Sequence, residues 1–257
     1  MTILTGTSGW QYASWRDRFY PPKFPQRRWL EHYVQQFATV EINSTFYNLP
    51  SEQTVQRWAD AAPPEFHFVV KASRYLTHIR RLRDPEAPVQ LLLERCRPMG
   101  TRLSCVLLQL PPNFPAQPEL LERTLAAFPQ HLRIAVEFRD RSWFSEAVRS
   151  MLHEHNAALC IADRRGAQRE PAWHTASWAY IRFHEGDGDP YPCYSRSTLR
   201  GWAERLGSLS PGADPVYVFF NNDPMCCAPR DAAVLARICA GAGMQVSRAP
   251  EPDSMRL

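Results

Sequence analysis

The sequence predicts a single-domain α/β fold of the (β/α)8 TIM-barrel type, and three observations carry that expectation. Eight short apolar runs alternate with longer amphipathic segments, the pattern of βα units around a parallel sheet. The chain has 257 residues, close to the roughly 250 typical of such a barrel. Several strands also end in charged or amide side chains that period-two alternation places on one common face.

The expected strands are residues 3–7, 39–43, 66–71, 104–109, 133–138, 158–163, 179–184 and 215–221. Helices are expected at 28–37, 51–61, 87–99, 118–128, 144–154, 195–206 and 229–241. Ser51-Glu52 and Pro118-Glu119 are residue types that open helices. Gly100, Gly207 and Gly241 stand where a left-handed residue commonly closes one. The connection 164–177 has no helical period, so the sixth βα unit is expected to be irregular. No Gly/Ser linker or composition break divides the chain, so one domain over 1–257 is the economical reading. An open doubly wound sheet would need a phosphate-binding glycine turn after its first strand, and Gly6-Thr7-Ser8-Gly9 is not that fingerprint.

Composition narrows the class. With 44% hydrophobic and 22% charged residues the chain falls among soluble globular proteins. No stretch approaches the roughly 18 apolar residues a membrane span needs. The first residues run straight into a strand without a basic or apolar leader, which points to a cytoplasmic protein. The 7 cysteines are scattered without C-x-x-C spacing, arguing against a disulfide framework and a structural zinc site. Cys226-Cys227 reads as an incidental pair. A net charge of +4 is too small to imply nucleic acid by itself. Lys23 and Lys71 are the only lysines, a bias towards arginine that is no sign of a phosphate ligand.

Alternation within the strands defines a ring of inward-facing polar residues. In the second strand Val40 and Ile42 share one face, leaving Glu41 and Asn43 on the other. The same reasoning turns Lys71, then Glu137 and Arg139, then Arg182 and His184, towards the lumen of their strands. Gln109, Asp163, Asn221 and Asn222 end three further strands. Barrel enzymes place their active sites at this C-terminal face. The competing reading is a network of ion pairs that merely plugs the barrel.

Read as a site, Glu41 and Glu137 form a general acid/base pair with raised pKa values. Arg139 and Arg182 would hold an anion. Lys71 would act as a Schiff-base nucleophile, an electrostatic clamp, or an ion-pair partner of one of the glutamates. His184 would shuttle a proton near neutral pH. Asn43, Gln109 and Asn221 would orient the ligand. Trp10, Tyr12, Tyr47 and Trp143, with Trp15 and Phe46, would wall the mouth in aromatic surface. No cofactor is expected. Glu41, Glu137, Asp163 and His184, with His78, nonetheless contain enough ligands for one divalent ion. The segment His78-Ile79-Arg80-Arg81-Leu82-Arg83 is basic and could contact phosphates.

These residues carry a family resemblance. Gly6-Thr7-Ser8-Gly9-Trp10-x-Tyr12-x-x-Trp15, the run Val40 to Tyr47, Gln109-Leu110-Pro111-Pro112, Val136-Glu137-Phe138-Arg139, Tyr180 to His184 and Tyr217 to Asn222 resemble the YecE-like family, domain of unknown function 72. The likeness extends over about residues 3–240. It implies a TIM-barrel fold and little about chemistry. A relationship to endonuclease-IV-like barrels, and hence DNA binding, has been suggested for the family, but the histidine-rich zinc pattern is missing here. The acidic, glycine-rich stretch His184 to Asp189, before Tyr191 and Tyr194, reads as a lid.

The expectation is therefore a metal-independent lyase, isomerase or hydrolase acting on a small anionic or sugar-like substrate. The alternative is a nucleic-acid-binding or phosphodiester-processing barrel. Oligomeric state is left open by the sequence.

Overall fold

In the computed structural model, residues 1–168, 170–209 and 215–255 are described. Among the described residues nine parallel strands form one curled sheet. In chain order they are β1 (Thr2–Thr7), β2 (Thr39–Ile42), β3 (His67–Lys71), β4 (Leu103–Gln109), β5 (Arg133–Glu137), β6 (Ala158–Arg164), β8 (Ala179–Glu185), β9 (Val216–Phe220) and β10 (Gln245–Val246). A two-residue strand between β6 and β8, β7 (Ala167–Gln168), pairs antiparallel with β6. The order across the sheet is β10-β1-β9-β8-β6-β5-β4-β3-β2. All eight expected strands are present. The connection 164–177 carries β7 and no helix among the described residues, and its Arg169 lies outside them.

The expected closed ladder is corrected: among the described residues no backbone pairing joins β1 to β2. A side chain spans the seam instead. The Tyr33 hydroxyl, on α1 (Trp29–Gln36), accepts from Thr7 N at 3.0 Å and donates to Thr39 O at 3.1 Å. Glycine is required opposite, because a Cβ on Gly6 would lie 2.5 Å from Thr39 O. The fold is thus a curled parallel α/β sheet of TIM-like form with an unpaired seam.

The sheet separates two apolar cores. Ile3, Val40, Val106, Val136, Ile181 and Val218 face outward onto the helices. Leu4, Val69, Leu107, Ala135, Tyr180 and Phe219 fill the inside. The parity read from sequence therefore holds for these strands. Ser51 caps α3 (Glu52–Ala61), accepting from Thr54 N, and Ser145 caps α6 (Glu146–Glu154), accepting from Val148 N. Two glycines do not end helices as expected. Gly207 lies inside α7 (Arg196–Leu209), and after α8 (Cys227–Gly241) the left-handed residue is Gly243, with φ 80°.

One expectation about cysteine is overturned. Cys193, in the loop after β8, forms a disulfide with Cys227 at the start of α8, with a Cα–Cα distance of 4.8 Å. Both segments lie at the C-terminal end of the sheet, which brings together residues 34 apart in sequence. Cys226 is a free, buried thiol. Among the described residues no helix is long and apolar enough to cross a membrane.

Candidate functional site

The strand ends bring Glu41, Lys71, Gln109, Glu137, Arg139, Arg182 and His184 together, in two tiers. The lower tier is a buried ion-pair cluster. Arg182, 1% exposed, donates through one terminal nitrogen to Glu41 at 2.7 Å and through the other to Glu137 at 2.6 Å. Glu41 also accepts from the Tyr180 hydroxyl at 2.5 Å. Glu41 and Glu137 are 0% and 1% exposed, so one guanidinium compensates two carboxylates out of reach of water.

This arrangement corrects the acid/base expectation for Glu137. Burial alone would raise its carboxyl, but the positive charges of Arg182 and Arg139 outweigh burial and hold it well below the usual carboxylate range. His184 is corrected too. Burial, then Arg182, lowers its imidazole to about 3, leaving it neutral near pH 7. Its Nε2 lies 3.8 Å from Glu137 Oε1, too far for a hydrogen bond.

The upper tier faces the mouth. Among the described residues Lys71 forms no ion pair with a glutamate. Its Nζ donates to the Gln109 side-chain oxygen at 2.8 Å and sits 4.3 Å over the Phe46 ring. Burial, then the charge of Arg182, lowers its ammonium to about 8. Arg139, partly exposed, completes the tier by donating to Glu137 at 2.7 Å. Asn43 Nδ2 lies 3.5 Å from Asn221 Oδ1, and Asn221 Nδ2 lies 3.3 Å from His184 Nδ1.

Five buried polar atoms around this mouth have no partner: Ser8 Oγ, Asn43 Oδ1, Arg182 Nε, His184 Nε2 and Asp223 Oδ1. Five more such atoms occur elsewhere among the described residues, including Thr5 Oγ1, Tyr217 Oη and Ser247 Oγ. Buried polar atoms are nearly always hydrogen-bonded, so the five at the mouth are where a ligand or ordered water would add partners. A depression of about 370 Å³ beside them is lined by Arg164, His184, Tyr191 and Asn221.

Two contributors were missed by sequence reasoning. Tyr180 shares the inner face with Arg182 and His184, so the alternation that found those two also indicates it. Asp223 lies just beyond β9, where no periodicity applies. Its carboxyl is raised to about 7 by burial, and the Tyr12 hydroxyl, which donates to Ser8 O at 2.5 Å, also faces it.

Other expected members lie elsewhere. Asp163 points outward, accepting from the Trp202 indole at 2.8 Å, so the proposed metal quartet is not assembled. No group of three potential metal ligands occurs among the described residues. Asn222 turns away from the mouth to Asp231, at 2.8 Å. Trp143 is fully buried, stacked on Phe138 and donating to Phe114 O at 2.7 Å, and Trp10 packs edge-on against Trp58. Both serve loop packing. Tyr47 is exposed on the adjoining face. The expected lid is pinned: Asp187 accepts from Ser195 N and the Thr198 hydroxyl, Gly188 N bonds Cys193 O, and Cys193 is disulfide-linked.

A curled parallel α/β sheet with a polar, partly unsatisfied mouth at its C-terminal edge defines a TIM-like protein with a candidate ligand site at that edge. The chain belongs to the DUF72 family, described as proteins of unknown function, which it matches over residues 4–255. It is 26% identical over 253 residues to UPF0759 protein YunF of Bacillus subtilis, covering 86% of this chain and 89% of that protein. It is 27% identical over 225 residues to UPF0759 protein YecE of Escherichia coli K12, covering 78% and 81%. A DUF72 family crystal structure from Thermotoga maritima superposes with a TM-score of 0.77 at 27% identity, covering 90% of this chain and 96% of the other. One from Enterococcus faecalis gives 0.78 at 21% identity, covering 93% and 96%, and speaks to the fold alone.

Proposed function

We propose that the chain, as one domain, is a TIM-barrel enzyme acting on a small anionic or sugar-like carbonyl compound, with Lys71 as the reactive amine. The observation that carries this reading is the pairing pattern. Both buried carboxylates are taken by Arg182, while the Lys71 amine is left with a neutral amide and an aromatic ring. An amine so placed loses its proton more readily than a free lysine and becomes a nucleophile. Arg139 binds the negative charge of the substrate. Asn43, Asn221 and Gln109 orient it. Asp223, which faces the Tyr12 hydroxyl at the mouth and whose carboxyl is raised to about 7 by burial, is the group available to exchange a proton with a substrate that reaches it. Glu41 and Glu137 position Arg182, and the aromatic Tyr12 and Tyr47 flank the entrance. This chemistry favours a lyase or isomerase over carboxylate-driven hydrolysis and needs no metal.

In the central step Nζ attacks the carbonyl carbon, the carbonyl oxygen takes up protons and leaves as water, and a C=N bond forms. Borohydride reduces that bond to a stable secondary amine. Because Lys23 and Lys71 are the only lysines, peptide mapping has just these two side chains and the N-terminal amine to tell apart. A panel of 2-oxo acids and aldoses with borohydride should add mass at Lys71 and not at exposed Lys23, and Lys71→Arg should abolish it. Absence of any adduct, or equal modification of both lysines, would refute the reading.

A second reading, nucleic-acid binding, draws on the exposed Tyr47 and Tyr75 beside the basic 78–83 segment. It requires single-stranded DNA affinity that falls steeply with salt. A fluorescence-polarisation titration showing salt-insensitive or absent binding rejects it.

A further inference from the structure

Beside the Lys71 site lies a second depression of about 470 Å³, lined by Phe46, Tyr47, Arg74, Tyr75, Arg80 and Leu91. That volume is within the range of small-ligand sites, roughly 300–1,000 Å³. Three of its walls are large apolar side chains left open to solvent: Tyr47 at 68% exposure, Tyr75 at 50% and Leu91 at 44%. Apolar surface clustered on one face of a soluble chain is a mark of a binding groove.

The backbone beneath it is unusual. Tyr75–Ile79 forms a single π-helical turn, closed by Arg80 N to Tyr75 O at 2.8 Å. Such turns concentrate at functional sites. Directly after it Arg81, Leu82 and Asp84 all take positive φ, 48°, 63° and 44°. A branched residue such as leucine rarely adopts that region. Positive φ at three of the four residues 81–84 thus follows the π turn that carries Tyr75 beside the groove, and strain of this kind clusters at ligand clamps.

The groove is continuous with the reactive amine through one ring. Phe46 lines the groove, carries Lys71 Nζ 4.3 Å above its face, and packs edge-on against Tyr47 and His78. Beside Phe46 and His78 stand the cations Lys71, Arg74 and Arg139, while Asp84, paired with Arg80, lines another part of the groove and the buried Glu41 and Glu137 are held by Arg182. An aromatic, apolar slot ending at cations complements a molecule with a planar apolar body and an anionic head.

We infer that the groove of Tyr47, Tyr75 and Leu91 binds the aromatic body of the substrate, whose anionic carbonyl head lies at Lys71: an aryl-substituted 2-oxo acid or a close relative. The identity of the head rests on the Lys71 reading above; the groove itself does not.

The test uses the whole chain and three probes. Phenylpyruvate and pyruvate are trapped on Lys71 with borohydride, and 3-phenylpropanoate, which has no carbonyl, is titrated calorimetrically. Phenylpyruvate should half-saturate at least tenfold below pyruvate, and Tyr75→Ala and Leu91→Asp, checked for folding by circular dichroism, should bring that ratio within twofold of one. 3-Phenylpropanoate should bind wild type and compete with phenylpyruvate. If 3-phenylpropanoate binds and Leu91→Asp abolishes it while no oxo acid is trapped, the groove stands and the Lys71 reading fails. If both oxo acids trap equally and 3-phenylpropanoate does not bind, the groove proposal is overturned and Lys71 stands. Oligonucleotide binding lost in Leu91→Asp and not displaced by 3-phenylpropanoate also overturns it, in favour of nucleic acid.

Discussion

The two tiers of the polar mouth contain similar residue types and have opposite energetic characters. In the lower tier every charge touches an opposite one: Arg182 lies between Glu41 and Glu137, Tyr180 donates to Glu41, and Arg139 reaches down to Glu137, although Arg182 Nε itself has no partner among the described residues. In the upper tier an amine is buried without a counter-ion in contact, and polar atoms of Asn43, His184 and Asp223 have no partner. Matched buried charges are costly to break but inert. Unmatched ones cost stability and persist where something else compensates, which under the function proposed above is a ligand. The comparison separates a structural plug from a site, although the sequence presents them as one ring.

Three mutations test that separation. Arg182→Ala should have the largest effect, a loss of about 3–5 kcal/mol, because it strands two buried carboxylates. Urea denaturation measures it, and a loss below about 1 kcal/mol would mean the lower tier does not hold the curled sheet together. Lys71→Met should act in the opposite direction, gaining about 1 kcal/mol at pH 7 by removing a buried ammonium. Its pH signature follows from linkage. The folded chain releases this proton at about 8 and the unfolded chain near 10.5. Between those values the unfolded state holds more protons, so wild-type stability rises with pH across that window, and Lys71→Met should lack the rise. Equal pH profiles for the two proteins would refute an unpaired amine. Arg139→Gln should change stability least, within about 1 kcal/mol, because this arginine is partly exposed and screened by water. A loss matching Arg182→Ala would erase the distinction between tiers.

How far the site could be read from sequence follows from the range of the forces involved. Alternation is a local property, so Glu41, Lys71, Glu137 and Arg182 were correctly turned inward from their immediate neighbours. Asp163 was grouped with the ring only as a strand end. Its own alternation, with Cys160 in the inner core and Ile161 in the outer, places it outside, against Trp202. Tyr180 was equally legible by the same rule. Asp223 was not, because it follows the strand and only burial by distant segments raises its carboxyl. The reversals at Glu137 and His184 have one origin, since both depend on where the Arg182 guanidinium comes to rest.

The sequence by itself determined the strands, the parity of most of them and the end of the sheet at which polar residues gather, because these depend on periodicity within a few residues. Tertiary structure alone decided which charge meets which, that Tyr33 and Gly6 rather than a ladder bridge β1 and β2, that Cys193 reaches Cys227, and that Lys71 is left without a carboxylate. Each of those facts joins residues from separate strands and loops. Their energies depend on distance and burial, which exist only once the sheet has curled.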